Sequence, residues 1–181
     1  MKYTLLGFKV LVYIALGYLL FFLATAYDPA SSAYHPPFIL FVVDTVNLFI
    51  HEAGHFFFRI FGMWISILGG SVFQILVPLA LVFLTWREKA HGIALAGFWL
   101  GESLINVSVY IRDAPFRHLK LIAGGLIHDW NWLLADNLEA AEPLGVALFG
   151  MGLLICLASI VIGLRRAVMT FKGEDGGLVT G

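Results

Sequence analysis

Long apolar stretches, each close to the length of a membrane-crossing helix, dominate this sequence. Four of them lie at about 5–27, 38–62, 68–86 and 91–111, and a fifth lies at about 144–164. The hydrocarbon core of a bilayer is crossed by about 20 apolar residues of helix. Because 60% of the 181 residues are hydrophobic and only 13% are charged, a soluble domain of this size could not bury so much apolar surface. The sequence therefore predicts an all-α, polytopic membrane helix bundle.

Turn-forming and charged segments separate the predicted spans. YDPASSAYHPP at 27–37 is a proline- and serine-containing loop, WREKAHG at 86–92 is a charged turn, and Pro143 lies where the last helix can begin. We expect a single membrane domain over 1–172 and a flexible tail over 173–181. The apolar stretch near the N-terminus is longer than a signal-peptide core, so we expect it to remain as a span.

The segment HLKLIAGGLIHDWNWLLADN at 118–137 is apolar but short and interrupted by glycines. If it forms a sixth crossing at about 119–137 and the N-terminus lies inside, most basic residues fall on the inner side, as expected for cytoplasmic loops. The inner set is Lys2, Arg59, Arg112, Arg117, Lys120, Arg165, Arg166 and Lys172, and the outer set is Arg87 and Lys89. A re-entrant segment would remove most of this bias. Six crossings with both termini cytoplasmic are therefore favoured over five crossings plus a re-entrant segment.

A polar stripe interrupts the second predicted span. At 100° per residue, one side of the helix carries Asp44, Asn47, His51, Glu52, His55 and Arg59. The opposite face carries Phe49, Ile50, Phe56, Phe57 and Ile60. A charged group at the centre of a membrane costs at least about 2.5 kcal/mol on insertion scales. Several such groups on one stripe predict a shared polar partner inside the bundle, with the opposite face toward lipid.

The stripe contains the pattern His-Glu-x-x-His, formed by His51, Glu52 and His55. Residues four apart lie on one face of a helix, so two imidazoles can converge on one Zn²⁺. The glutamate beside the first ligand can take a proton from a bound water. A metal-free, hydrogen-bonded network is the alternative interpretation. Zn²⁺ is the expected ion, although the same ligands suit other divalent metals such as Fe²⁺ and Co²⁺.

A catalytic zinc site has three protein ligands and one open position. The strongest source of a third ligand is HDWNWLL at 128–134, where a glycine-broken segment carries His128 and Asp129. Charge neutralisation favours Asp129, whereas ligand preference leaves His128 open. An interfacial tryptophan belt with polar caps is the alternative explanation of this cluster. Glu102, on the fourth span, could pair with an arginine or with a histidine ring.

These motifs together resemble the site-2 protease class, the M50 family of intramembrane zinc metalloproteases, and most closely its small bacterial M50-like members. NLFIHEAGHFFF, GGSVFQILVP (69–78), GESLINVSVYIRDA (101–114) and HDWNWLL carry the likeness over most of 47–134. The resemblance implies zinc held by His51 and His55, a water activated by Glu52, and cleavage of a peptide bond in or beside a bacterial inner membrane. In that family the third ligand lies in an Asp-Gly motif, whereas Trp130 follows Asp129 here. Asp129 is therefore compared with the third ligand of that family by its expected role alone, and not by a shared motif.

Two functions follow as expectations. The first is an integral membrane zinc metallopeptidase acting on a membrane protein substrate, with Asn106 as a substrate-binding residue that could donate to an oxyanion or to a substrate strand. The second is a non-catalytic, metal-stabilised scaffold or accessory subunit of a larger membrane complex. A closed site with four ligands would favour the second function. The formal net charge of −1 and the few, scattered basic residues argue against a nucleic-acid partner.

Overall fold

A computed structural model of the chain describes residues 2–87, 92–119 and 127–173. These residues form six α-helices, two short 3₁₀ turns and no strand. The α-helices are α1 (Lys2–Thr25), α2 (Phe38–Phe58), α3 (Met63–Thr85), α4 (Gly92–Arg112), α5 (Asp129–Leu133) and α6 (Ala141–Lys172), and the 3₁₀ turns are Arg59–Phe61 and Leu138–Ala140. The predicted all-α class is confirmed. The predicted tail lies outside the described residues from position 174 onward.

Four of the helices are long and apolar enough to cross a membrane. By length and composition these spans are Leu6–Thr25, Met63–Thr85, Gly92–Arg112 and Leu138–Phe171. The predicted spans at 5–27, 68–86, 91–111 and 144–164 fall on them. The chain thus has the construction of an integral membrane protein. The predicted span at 38–62 is also helical over Phe38–Phe58, but its polar stripe sets its composition apart from that of the four.

The predicted sixth crossing at about 119–137 is not confirmed. Residues 120–126 lie outside the described part, and the described part of the segment contains only the five-residue helix α5. At 1.5 Å per residue, five helical residues cover about 7.5 Å, far less than a bilayer core. The backbone turns at 134–136, directly after α5. Between residues 127 and 137 the chain is therefore folded against the bundle and does not run through a membrane as one helix.

Proline and glycine set the helix ends near the polar stripe. Pro37 lies directly before α2, and its backbone is extended. Because proline has no N–H to donate to a preceding turn, it suits the position at which a helix begins. Gly62 joins the 3₁₀ turn to α3 at φ 96°, a region that disfavours residues with a Cβ. This tight connection folds α3 back along α2. Pro143 lies in the first turn of α6, as predicted, where its missing N–H has no helical partner to lose.

Helix α4 is the centre of the bundle. It packs against α6 on one side and α3 on another, while α1 packs on α6 and α2 packs on α3. Gly101 makes the α4–α6 contact close, because a Cβ there would lie 2.6 Å from both Cys156 Sγ and the Gly152 carbonyl oxygen. Cys156 is fully buried in this contact, where it packs as a small hydrophobic side chain.

The apolar face of α2 is exposed, as the stripe predicts. Phe49, Phe56, Phe57 and Ile60 each expose more than half of their surface, and Ile60 reaches 83%. Asn47, His51 and Gly54, on the other side of the same helix, are buried. An exposed aromatic face of this kind suits lipid and not water. It also orients α2 so that its polar stripe points into the bundle.

Candidate metal centre

The structure brings His51, His55 and Asp129 together. Nε2 of His51 lies 2.8 Å from Oδ2 of Asp129, and Nε2 of His55 lies 3.2 Å from the same oxygen. One ligand atom from each residue falls within 4.8 Å of the others, and no further such group occurs among the described residues. The two imidazoles are one helical turn apart on α2, with ring centroids separated by 4.8 Å. Asp129 approaches from α5, so the cluster joins two distant parts of the chain.

These three side chains fit a divalent metal ion. Bonds of about 2.1 Å at tetrahedral angles place ligand atoms about 3.4 Å apart, so a small outward movement of the carboxylate would make room for zinc. Nδ1 of His55 lies 2.9 Å from the Ser66 carbonyl oxygen. Because a carbonyl only accepts, Nδ1 carries the proton, which leaves Nε2 of His55 with a free lone pair toward the cluster. Two imidazoles and one carboxylate are a typical ligand set for catalytic zinc.

Glycine makes space for the two rings. A Cβ on Gly70 would lie 2.6 Å from His51 Nε2 and 2.8 Å from Cε1 of both imidazoles. Gly54 has a related role, since a Cβ there would collide with the carbonyl oxygen of Gly69 and come 2.8 Å from the Phe73 Cβ. Helix α3 can therefore lie directly against the histidine face of α2 only because these positions lack side chains. The pair Gly69-Gly70 was visible in the sequence, but its purpose depends on this helix contact.

Helix α5 is fastened to the bundle at several points. The Asp129 N–H donates to the Tyr110 hydroxyl at 3.0 Å, and the Trp130 indole N–H donates to Ser71 Oγ at 3.0 Å. The Asn131 side-chain amide donates to the Ala114 carbonyl at 2.8 Å. Because α5 has only five residues, these contacts and not its own helical bonds hold the Asp129 carboxylate against the imidazoles. Sequence reasoning missed Tyr110, whose ring also lies 5.6 Å from that of His51.

His128, predicted as an alternative ligand, lies outside the cluster. Its Nε2 lies 3.1 Å from Oδ2 of Asp113, and its Nδ1 accepts the backbone N–H of Asn131 at 3.2 Å, which caps α5. Both ring nitrogens are thus engaged away from Asp129. Asp113 also accepts the backbone N–H groups of His118 and Leu119 at 2.9 Å each. His128 therefore positions the start of α5, and Asp129 is the residue of this segment that lies against the two imidazoles.

Glu52 lies beside the cluster with its carboxylate uncommitted. It is partly buried, and it forms no hydrogen bond or ion pair with any residue in the described part of the chain. Glu52 shares the wall of one cavity with His51, His55 and Asp129. The cavity has a volume of about 820 Å³, which is within the range of small-molecule and peptide sites. A carboxylate held there is placed where it can exchange a proton with water in the cavity.

Asn106, predicted as a substrate-binding residue, also lines this cavity but is already hydrogen-bonded. Its Nδ2 donates to the Tyr27 hydroxyl at 2.7 Å and to Asp44 Oδ1 at 3.1 Å, and its Oδ1 accepts from Gln74 at 2.9 Å. Every polar atom of the amide thus has a partner within the bundle. Asp44 is correspondingly hydrogen-bonded to Tyr27 and Asn106 and forms no hydrogen bond with a histidine in the described part of the chain. The role of Asn106 toward a substrate stays a prediction.

Glu102 and Arg112 take partners other than those expected from the sequence. Glu102 is 1% exposed and accepts from the Asn47 amide at 2.7 Å instead of contacting an arginine or a histidine. Arg112 forms an exposed ion pair with Glu142 at 2.9 Å. Arg59 is exposed at the end of α2, consistent with a side chain that reaches toward headgroups.

Comparison of the chain with protein-family models, with curated proteins and with solved structures found no match. The class of protein is therefore defined by the fold and the cluster alone: an integral membrane helical protein with a His-His-Asp group, buried at His51 and Asp129, on the wall of a cavity.

Proposed function

We propose that this protein is a metal-dependent hydrolase of the membrane, an M50-like zinc metallopeptidase with His51, His55 and Asp129 as ligands and Glu52 as general base. The convergence of three ligand atoms beside an uncommitted carboxylate, on the wall of one cavity, carries the proposal. The resemblance of the sequence motifs to the site-2 protease class supports the same chemistry. Peptide-bond hydrolysis is the reaction that this class implies.

A bound zinc ion supplies a Lewis acid that polarises a carbonyl and lowers the pKa of its water toward about 7. The residues of the chain perform the remaining tasks. The Glu52 carboxylate, which forms no hydrogen bond or ion pair within the described part of the chain, accepts a proton from water in the cavity and returns it to the leaving amine. The Ser66 carbonyl orients the His55 ring, and Tyr110 with α5 orients Asp129.

The number of ligands favours catalysis over a purely structural metal site. A structural zinc site is closed by four protein ligands, whereas a catalytic site keeps one position open. His128 would be the fourth ligand of a closed site, but it contacts Asp113 and Asn131 instead. The alternative of a metal-free, hydrogen-bonded network has one observation in its favour, because His51 Nε2 lies within hydrogen-bond distance of Asp129 Oδ2, at 2.8 Å. Such a network would tie α2 to α5.

The substrate we propose is a membrane protein segment that enters the cavity from lipid. Apolar side chains that line the cavity, such as Phe41 and Leu48, are exposed on the outer surface of α2. A peptide must unwind to present its carbonyl, because helical carbonyls are already hydrogen-bonded. We further propose a bacterial inner membrane location with both termini cytoplasmic, on the basis of the family resemblance and the distribution of basic residues.

The variant Glu52→Gln tests the proposed reaction. It keeps the shape of the side chain and removes the base, so we expect zinc content to be unchanged and hydrolysis to fall by about 10²–10⁴-fold. Cleavage of unfolded casein and of a single-span reporter protein, both in detergent, provides the assay. His35→Ala, which alters an exposed loop histidine, is the matched control. Equal cleavage by wild-type protein and Glu52→Gln would contradict the mechanism. A wild-type protein that binds metal but cleaves neither substrate would favour the metal-stabilised scaffold, and a metal-free wild-type protein would favour the hydrogen-bonded network.

A further inference from the structure

Two carboxyl groups lie at neighbouring levels of the bundle, outside the His-His-Asp cluster. Asp44 belongs to α2 and Glu102 to α4: Asn47, one turn after Asp44, donates to Glu102, and Asn106, one turn after Glu102, donates to Asp44. Glu102 is almost completely buried, and one of its oxygens, Oε1, has no donor from any described residue. Two ionised carboxylates at neighbouring positions repel each other strongly in a low dielectric. A stable pair of this kind requires a proton between the two groups.

Hydrogen-bond donors around the pair are distributed unequally. Oδ1 of Asp44 accepts from the Tyr27 hydroxyl at 2.7 Å and from Asn106 Nδ2 at 3.1 Å. Among the residues that the structure describes, Glu102 accepts one side-chain hydrogen bond, from Asn47 Nδ2 to Oε2 at 2.7 Å. Donors stabilise the ionised form of a carboxyl group, so the negative charge belongs on Asp44. The unpartnered Oε1 of Glu102 is then the atom that carries the proton.

We propose that Asp44 and Glu102 form a proton-binding site in which Glu102 holds the proton on Oε1 and donates it to Asp44. The site is independent of the proposed hydrolase function and of the metal. Its ligand is a single proton, and binding changes the charge of the pair from two negative charges to one.

Donor geometry also argues against a metal ion at this pair. A cation would need several oxygen ligands with free lone pairs. The nearby amide oxygens are instead used as acceptors, because Asn47 Oδ1 accepts from the Trp99 indole at 2.9 Å and Asn106 Oδ1 accepts from Gln74 at 2.9 Å. The amide N–H groups point at the carboxylates. Such an arrangement suits a proton shared between two acids.

The remaining titratable groups near the pair do not replace the proton. They are Tyr27 and Tyr34 from the loop before α2 and Cys156 from α6, while α3 contributes only the neutral Gln74. Burial, together with the charge of Asp44, raises the pKa of Tyr34, so this phenol remains protonated at neutral pH. No lysine, arginine or histidine in the described part of the chain forms an ion pair with either carboxyl group.

The pair connects the large cavity to the interior. Asp44 lines the cavity of about 820 Å³, whereas Glu102 lines a separate cavity of about 150 Å³ with mainly apolar walls. Because the walls of the small cavity are mainly apolar, we place the route of proton entry on the Asp44 side, where the large cavity has polar lining groups. Proton occupancy of the pair consequently sets the charge on one wall of the large cavity.

Infrared spectroscopy of the purified protein in detergent tests the site, because a protonated carboxylic acid has a C=O stretch separate from carboxylate bands. We expect this band in wild-type protein at neutral pH. Labelling all glutamates with ¹³C at the side-chain carboxyl should move the band, and the same labelling of aspartates should not. This comparison needs no variant. Absence of the band, or a shift on aspartate labelling alone, would overturn the proposal.

Variants locate the proton on one residue. Glu102→Gln keeps the shape of the side chain and offers an N–H to Asp44, so the band should disappear while helical content by circular dichroism is retained. Glu142→Gln, at the exposed Arg112 pair, is the matched control and should keep the band. Retention of the band in Glu102→Gln would overturn the assignment to Glu102. Loss of the band on adding Na⁺ at constant pH would identify a cation site and overturn the proton site.

Discussion

A single oxygen atom organises the candidate metal centre. Oδ2 of Asp129 lies 2.8 Å from His51 Nε2 and 3.2 Å from His55 Nε2, so the two imidazoles and the carboxylate would be the residues that hold an ion here. Without an ion, the N–H at His51 Nε2 donates a hydrogen bond to Asp129 Oδ2. A metal ion that bound His51 Nε2 would have to displace this proton. The hydrogen bond from His55 Nδ1 to the Ser66 carbonyl oxygen fixes which nitrogen of the second ring carries the proton. Small displacements of either ring should accordingly change metal affinity.

Gly70→Ala tests this sensitivity at the scale of one methyl group. The added Cβ would lie within 2.8 Å of atoms in both imidazoles, and the helical backbone of α3 leaves it nowhere to move. We expect zinc affinity to fall by about 10–100-fold, the usual effect of disturbing groups that orient metal ligands. Competition with a chromophoric chelator measures the affinity. Gly150→Ala, at a helical position with nothing within 4 Å, should bind zinc as wild type does. Equal affinity in both variants would contradict the proposed packing.

At the scale of elements, α2 and α5 contribute to the site in different ways. Helix α2 is long, and its 3.6-residue period alone places His51 and His55 on one face. Helix α5 is too short to be stable by itself, so its position depends on hydrogen bonds to α3 and α4. Asp113 is central to this attachment, because it binds His128 and two backbone N–H groups that precede α5 in the sequence. The Asp129 carboxylate is therefore held by a network of hydrogen bonds and not by the helix itself.

Asp113→Asn should weaken this network without touching the cluster. The substitution removes a charge that accepts three hydrogen bonds, and hydrogen bonds to charged groups each contribute about 1.5–3 kcal/mol. We expect a lower melting temperature and weaker zinc binding, because the Asp129 carboxylate would be held less firmly against the imidazoles. Thermal unfolding in detergent and zinc titration measure the two effects. Glu142→Gln, which removes an exposed ion pair, should change both little. Unaltered zinc binding in Asp113→Asn would show that α5 does not depend on Asp113.

The difference between α2 and α5 also explains what the sequence could predict. Span length and helical period depend on local residues, so the helices, the lipid-facing aromatic face and the convergence of His51 with His55 followed from the sequence. Which of His128 and Asp129 lies against the imidazoles depends on the backbone direction of a segment without a long regular helix. Helical periodicity does not predict that direction. Tyr110, Ser66 and Gly70 became visible only when α3 and α4 were placed against α2. The pairing of Asp44 with Glu102 likewise depends on the packing of two helices.

At the scale of the whole molecule, a lipid-exposed helical bundle encloses two polar centres. The His-His-Asp cluster lies where α2, α3 and α5 meet, and the Asp44–Glu102 pair lies between α2 and α4. Both centres face the same large cavity, on one side through the imidazoles and on the other through Asp44. Polar groups at such positions are costly in a membrane and are retained where they serve a function. The bundle therefore concentrates its ionisable interior groups around one space.

Metal analysis of protein purified in detergent without chelators tests the central claim most directly. Wild-type protein and the exposed-loop control His35→Ala should each carry about one zinc or similar divalent ion per chain, the occupancy of a three-ligand site. His55→Ala, which removes one of the three ligands, should carry none while its helical content is retained. A wild-type protein without metal, or His55→Ala with undiminished metal, would contradict the account.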